Sequence, residues 1–428
     1  MNNQQLLELL RREVIPAIGC TEPIAVALCV ARAKELLNAE PEVITVSLSK
    51  NIYKNAFAVG IPNTGMTGLP IAIALGATVG KSEYMLEVLR DATPEAVEYA
   101  KQYMLRVPAK IQINYDAPSV LYIHAKVSAS GRTAQATIMD EHTKFIEDSS
   151  PKPYIKKEKG EEANKQIGTA LSLRRVYDFA MEMATEELTF LLEGAQMNTA
   201  AAETSFADQY GHGLGRLLRA NTLSATPEMK YLFGDTLFTK IISYTCGACD
   251  ARMSGAMVPV MSNSGSGNQG ISCSVPVYLY AKENNCNLEK TLRALTLSNL
   301  TVIYIKQSLG RLSALCGCVV AATGSAAGIT YLMGGNYEEI TYAIKNMIAN
   351  ISGMICDGAK PGCALKVTSG VATAIFSAYL AMQHSVASPT EGIVEEDIDR
   401  TIRNLTRIGH DGMQVTDDLI LDIMTHKK

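Results

Sequence analysis

The chain contains no tryptophan, and aromatic residues make up only 6% of its 428 residues. No stripe of Arg and Lys interleaved with aromatics is present, and the net charge of −4 supplies no basic field. A nucleic-acid partner is therefore excluded. Met1-Asn-Asn-Gln-Gln-Leu lacks a basic stretch followed by an apolar one, which predicts no signal peptide. The uncharged run from Leu312 to Tyr337 is crowded with Gly, Ala, Ser, Thr and Cys and lacks an aromatic belt or basic flanks. It reads as a helix threading a soluble bundle rather than a membrane span, as does Val367–Met382. Ten cysteines without an export signal argue against a disulfide framework and for a reducing cytoplasm with metal or thiol chemistry.

Hydrophobic residues reach 47% and charged ones only 19%, with Gly, Ala and Met plentiful. This suits a tightly packed, mostly helical protein with ample length for a buried core. Residues 3–37 read as a helix, a break at Ile18-Gly-Cys-Thr-Glu-Pro23, and an Ala-rich helix with Pro23 in its first turn. Alternation predicts strands at Val43–Ser49, Ala56–Gly60, Lys110–Tyr115, Leu121–Val127 and Ala134–Met139, with helices at Leu69–Gly80 and Pro94–Leu105. A small α+β domain over 42–148, inserted near the N-terminus of a helical catalytic body (1–41 and 160–428), is the expected α+β architecture, with 149–159 as a charged, Pro-containing linker. The body should carry helices near 170–195, 198–221, 227–244, 270–283, 287–306, 311–333, 338–350, 365–383, 394–407 and 416–424.

The chemistry gathers around cysteine. Cys318 lies in Leu315-Cys-Gly-Cys-Val-Val, followed by Cys356-Asp-Gly-Ala-Lys-Pro-Gly-Cys363. Three soft thiolates so spaced suit an iron–sulfur cluster with one iron free as a Lewis acid, although zinc or three buried thiols would also fit the spacing alone. Cys316, two residues from Cys318, is expected to pack elsewhere. Cys20 opens a helix, where amide groups and the dipole favour a thiolate, so it is a candidate base or temporary ligand. Glu22 is a candidate catalytic group or ammonium ligand. Ser262-Asn-Ser-Gly-Ser-Gly-Asn-Gln-Gly270 leads into a helix and offers donors to a carboxylate, with Asn263, Ser264 and Asn268 in front. It is neither a phosphate-binding Walker loop nor a dinucleotide fingerprint. Cys246-Gly-Ala-Cys249 lacks a second pair at zinc spacing and reads as packing, while Arg252 is placed to pair with a carboxylate. Thr21 joins the candidate substrate contacts, and Lys366 is a candidate base.

Gly19-Cys-Thr-Glu-Pro23, Ser262–Gly270, Gly317-Cys-Val-Val-Ala-Ala-Thr-Gly324 and Cys356–Cys363 together resemble the L-cysteine desulfidases, relatives of the α-chain of bacterial iron–sulfur L-serine dehydratases. The likeness spans essentially the whole chain. It implies a [4Fe–4S] cluster on Cys318, Cys356 and Cys363, and conversion of L-cysteine and water to pyruvate, ammonia and sulfide. The related dehydratases resemble enzymes that close the free iron with a C-terminal cysteine; no cysteine follows Cys363 here. The alternatives are an L-serine dehydratase, or a lyase for a related β-substituted amino acid, and a metal-free metabolite-binding protein. A small amino acid is the expected partner, with no membrane and a homodimer as the assembly.

Overall fold

The computed structural model describes residues 1–146, 171–224 and 232–427. The expected linker at 149–159 lies outside the described residues. In chain order the elements are α1 (Asn3–Glu13), β1 (Pro16–Ile18), α2 (Thr21–Leu37), β2 (Val43–Ser49), α3 (Lys50–Ala56), α4 (Leu69–Thr78), α5 (Pro94–Arg106), β3 (Lys110–Asn114), β4 (Tyr122–Ala129) and β5 (Arg132–Met139). Then come α6 (Leu173–Glu182), α7 (Thr189–Ala207), α8 (Leu214–Ser224), α9 (Leu237–Met253), β6 (Pro259–Met261), α10 (Gly267–Glu283), α11 (Leu288–Leu309) and α12 (Gly317–Leu332). The chain closes with α13 (Tyr337–Ile351), α14 (Cys363–Met382), α15 (Ile398–Arg407) and α16 (Gln414–Thr425). The fold is α+β.

The period-2 segments form one sheet in the order β3-β2-β4-β5, with β2 parallel to β3 and the other pairs antiparallel. Its inward residues, among them Ile44, Val46, Leu48, Ile123, Val127 and Ile138, pack on Ile24 and Leu28 of α2 and Ile71 and Leu75 of α4. Each such burial contributes about 1.5–3 kcal/mol. Thus α2, which the sequence reading placed with the helical body, covers the sheet. The strand expected at Ala56–Gly60 is not formed. There α3 runs into a loop whose Gly60 amide donates to the Met253 carbonyl at 2.9 Å, so the segment is held against the end of α9 and not against the sheet.

The helical body centres on α11, whose Leu292, Leu295, Leu300 and Ile303 lie among residues from α1, α6, α7 and α12. The helix expected at 170–195 breaks at a 3-10 turn, Thr185–Leu188, and α7 ends before Gly211 and Gly213, both in the left-handed region. The Gly- and Ala-rich run Leu312–Tyr337 holds α12, which packs against α10, α11, α13 and α14. Gly324 makes this possible: a Cβ there would stand 2.5 Å from the Ser298 carbonyl oxygen of α11. The helix Cys363–Met382 is long and apolar enough to cross a membrane, yet one side packs against α9, α12 and α13.

Candidate active site

A strand pair too short to leave a sequence signature builds the site. β1 runs antiparallel to β6, pairing Pro16 with Met261 and Ile18 with Pro259. The Ser262 amide adds a bond to the Ile15 carbonyl at 2.8 Å, and the Ser264 amide one to the Glu13 carbonyl at 3.0 Å. This ribbon sets Cys20, the N-cap of α2, beside the loop entering α10.

A second backbone clasp joins the cysteine segments. The Cys316 amide donates to the Met354 carbonyl at 3.0 Å and the Cys356 amide to the Ala314 carbonyl at 2.7 Å. Cys318 consequently sits in the first turn of α12, Cys363 opens α14, and Cys356 lies on the loop between. All three line one cavity together with Cys20 and Cys316. Cys316, expected to pack elsewhere, therefore shares the cavity wall. As helix residues alone, 316 and 318 would diverge, but Cys316 precedes α12 in extended conformation. The Cys318 thiol interacts with Cys316, which brings Cys316 down to about 7 and Cys318 well up. Burial pushes Cys356 up, and Cys363 up to about 11.

Among the described residues, no group of three His, Cys, Asp or Glu side chains is arranged to hold a single metal ion. A cluster distributes its ligands over several irons, and a set of thiols from two clasped segments, Cys318 buried and Cys356 and Cys363 half-buried, two of them at helix N-termini, suits that chemistry. The donor set fits an iron–sulfur group.

Three other residues of the cavity wall, Arg252, Asn55 and Gln269, carry unpaired polar atoms. Arg252 is 2% exposed. Its Nη1 donates to Asn268 Oδ1 at 3.0 Å, whereas Nε and Nη2 are buried without a hydrogen-bond partner. Asn55 Oδ1 and Gln269 Oε1, on residues lining the same cavity, are buried acceptors without a donor. Asn55 also donates to Glu22 Oε1 at 3.2 Å, while Glu22 Oε2 accepts from the Cys20 thiol at 3.1 Å and the Thr21 hydroxyl at 3.0 Å. Burial works against the Glu22 carboxylate, but the neighbouring His142 and Arg252, the Cys20 thiol and a backbone amide outweigh it and keep it below the usual range. Cys20 moves opposite to the helix-dipole expectation: burial and the Glu22 charge drive its thiol well up. The cavity measures about 90 Å³.

Several candidates named from sequence serve the walls. Asn263 donates to Asn299 Oδ1 at 2.9 Å and accepts from the Ser264 hydroxyl at 2.9 Å; neither residue lines the cavity. Lys366 is ion-paired with Asp357 and donates to the Ile355 carbonyl, also outside the lining. Asn55, Gln269 and Lys306 line the cavity unannounced, as does Arg311, which pairs with Glu13 at 3.1 Å. Lys306 had one signal: a lone lysine closing the apolar run Val302-Ile-Tyr-Ile. His142, just beyond β5, is buried beside Glu22 and Gly265 with Nε2 unpaired.

The serine dehydratase alpha chain family description matches residues 83–422. The chain belongs to that family. It is also similar along its length to proteins named UPF0597. Relatives from Bacteroides fragilis and Bacteroides thetaiotaomicron are 57% and 56% identical over 426 residues, covering 99% of this chain and 98% of each relative. One from Oleidesulfovibrio alaskensis is 42% identical over 425 residues, with the same coverage. The matched region includes the cysteine trio, Arg252 and the Ser262–Gly270 loop, while Cys20 and Glu22 precede it. A serine dehydratase-like, lyase-type enzyme is thus the class to which the site belongs.

Proposed function

We propose that the protein is an iron–sulfur-dependent L-cysteine desulfidase, a carbon–sulfur lyase that eliminates sulfide from L-cysteine and yields pyruvate and ammonia. One observation carries the reading: the thiol trio shares a cavity with buried unpaired donors on Arg252 and buried unpaired acceptors on Asn55 and Gln269. Buried polar groups demand partners, and a small zwitterion satisfies both sets at once. Its carboxylate goes to Arg252, with Asn268 orienting the guanidinium. Its ammonium goes to Asn55, Gln269 and the Glu22 carboxylate. A [4Fe–4S] cluster on Cys318, Cys356 and Cys363 would supply a Lewis-acid iron. Cys20, its proton shared with Glu22, stands ready to protonate the departing group. Thr21 holds the Glu22 carboxylate, Asn263 and Ser264 hold the loop that enters α10, and Lys366 braces the Cys356–Cys363 loop through Asp357.

All ten cysteines are unpaired, which supports a reducing, cytoplasmic setting. The test is anaerobic reconstitution followed by turnover of L-cysteine and L-serine. Equal yields of sulfide and pyruvate from cysteine, exceeding pyruvate from serine, support the desulfidase. Faster turnover of serine makes the protein a dehydratase. Failure to bind iron, with no product from either, leaves a metabolite-binding protein.

A further inference from the structure

We infer that Lys306 is the catalytic residue that takes the proton from the substrate α-carbon. The inference rests on the lyase reading and deepens it. Among the described residues, Lys306 is the only lysine lining the cavity. It occupies the last turn of α11 and is 7% exposed. Its Nζ donates to the Arg311 carbonyl at 2.9 Å, and no carboxylate lies within ion-pair distance among the described residues. Lys54, Lys360 and Lys366, the other lysines near the cysteine loop, are each ion-paired, Lys54 with Asp417 and the other two with Asp357. A buried ammonium without a counterion is costly, and lysine relieves the cost by releasing its proton, which arginine cannot do.

The rival groups fit the role less well. Glu22 accepts three hydrogen bonds and is a weak base. The Cys20 thiol is held protonated against that carboxylate. Burial lowers Lys306 to about 8, within reach of neutral pH. The charged and titratable groups around it oppose one another: Cys356, Glu22 and Cys316 favour the ammonium, and Arg311 disfavours it.

The step balances without an external oxidant or reductant. The neutral Lys306 amine takes the α-proton, and the C–H electron pair forms the Cα–Cβ double bond. The Cβ–S bond breaks, and its pair leaves with sulfur as hydrosulfide. The ammonium of the 2-aminoacrylate so formed gives one proton to the hydrosulfide, and the Lys306 ammonium returns its proton to Cβ of the resulting enamine, giving the protonated imine of pyruvate and hydrogen sulfide. Water hydrolyses that imine to pyruvate and ammonia.

The experiment uses the reconstituted full chain with Lys306→Gln, Lys306→Arg and Lys306→Ala. Iron content and visible absorption report loading, and steady-state turnover of L-cysteine and L-serine reports catalysis. With iron loaded as in wild type, kcat should fall at least about 100-fold in each variant, with KM nearly unchanged. Primary amines should restore part of the Lys306→Ala rate, as a merely structural role would not allow. Lys306→Arg retains the charge and decides the matter if the neutral variants do not load. An iron-loaded variant whose kcat stays within about tenfold of wild type overturns the assignment while leaving the lyase reading intact. A wild-type protein that loads iron yet makes no pyruvate from either amino acid overturns both.

Discussion

Replacing Arg252 with Met separates its role in binding from any role in folding, because the two predict opposite signs. In the ligand-free protein the guanidinium makes one side-chain hydrogen bond to an oxygen, at 3.0 Å to Asn268, and leaves two nitrogens unpaired in the interior. Each such orphan costs about 1–3 kcal/mol. Met fills a similar volume without polar atoms, and losing the Asn268 bond offsets only part of the relief. Arg252→Met should therefore unfold at the same denaturant concentration as wild type or higher, with a gain on the order of 1 kcal/mol. Catalysis should move the other way. Truncating a buried partner of a charged group costs about 2–5 kcal/mol, so kcat/KM for L-cysteine should fall roughly 30- to 5,000-fold at 1.36 kcal/mol per decade. Lys at this position keeps the charge without the planar fork and should recover only part of the loss. A non-eliminating carboxylate such as L-alanine provides a check independent of turnover: at 100 times its Kd it should stabilise wild type by about 2.7 kcal/mol and leave Arg252→Met unaffected. A variant that loses stability while keeping wild-type kcat/KM would refute the reasoning.

Three further outcomes follow from the packing. Gly270→Ala would set a Cβ 1.9 Å from the Met261 carbonyl oxygen, so α10 must move off β6; destabilisation of about 3 kcal/mol is expected by urea denaturation. Lys54, 2% exposed, holds Asp417 of α16 and donates to the Cys356 carbonyl; Lys54→Met should cost about 3 kcal/mol and expose the C-terminal helix to limited proteolysis, with Lys54→Met/Asp417→Leu recovering part of it. Burial lowers His142 to about 4, below the 6.5 of an unfolded chain, so its contribution is complete above pH 6.5 and is lost as pH falls towards 4. The loss should approach 3 kcal/mol at 1.36 kcal/mol per pH unit, and His142→Gln should flatten that limb of the stability–pH curve.

The parts of this protein legible in its sequence are those with local periodicity or fixed spacing. Val43–Ser49 alternates and forms β2, and the Gly-Ala run around Cys318 forms a helix that only small residues allow to pack so closely. The cysteine trio stood out by its soft donors and by the family resemblance, and the structure brings all three to one cavity. Contacts between distant segments were not. β1 and β6 are three residues each and lie some 240 residues apart, so no window of sequence contains their pairing. Cys316 was misplaced because helical geometry was applied one residue too early: it caps α12 and is not part of it. Lys306 and His142 owe their environment to neighbours from other elements, and a residue's burial cannot be read from its own identity.

The central claim is that Cys318, Cys356 and Cys363 together hold one iron–sulfur cluster. Anaerobic reconstitution followed by Mössbauer spectroscopy and iron quantitation, on wild type and on the three single Cys→Ala variants, tests it most directly. The account predicts about four irons per chain in wild type, with one iron site distinct from the others and shifted by L-cysteine, and loss of that spectrum in every variant. Wild-type protein that takes up no iron, or variants that keep the full cluster signal, would contradict it.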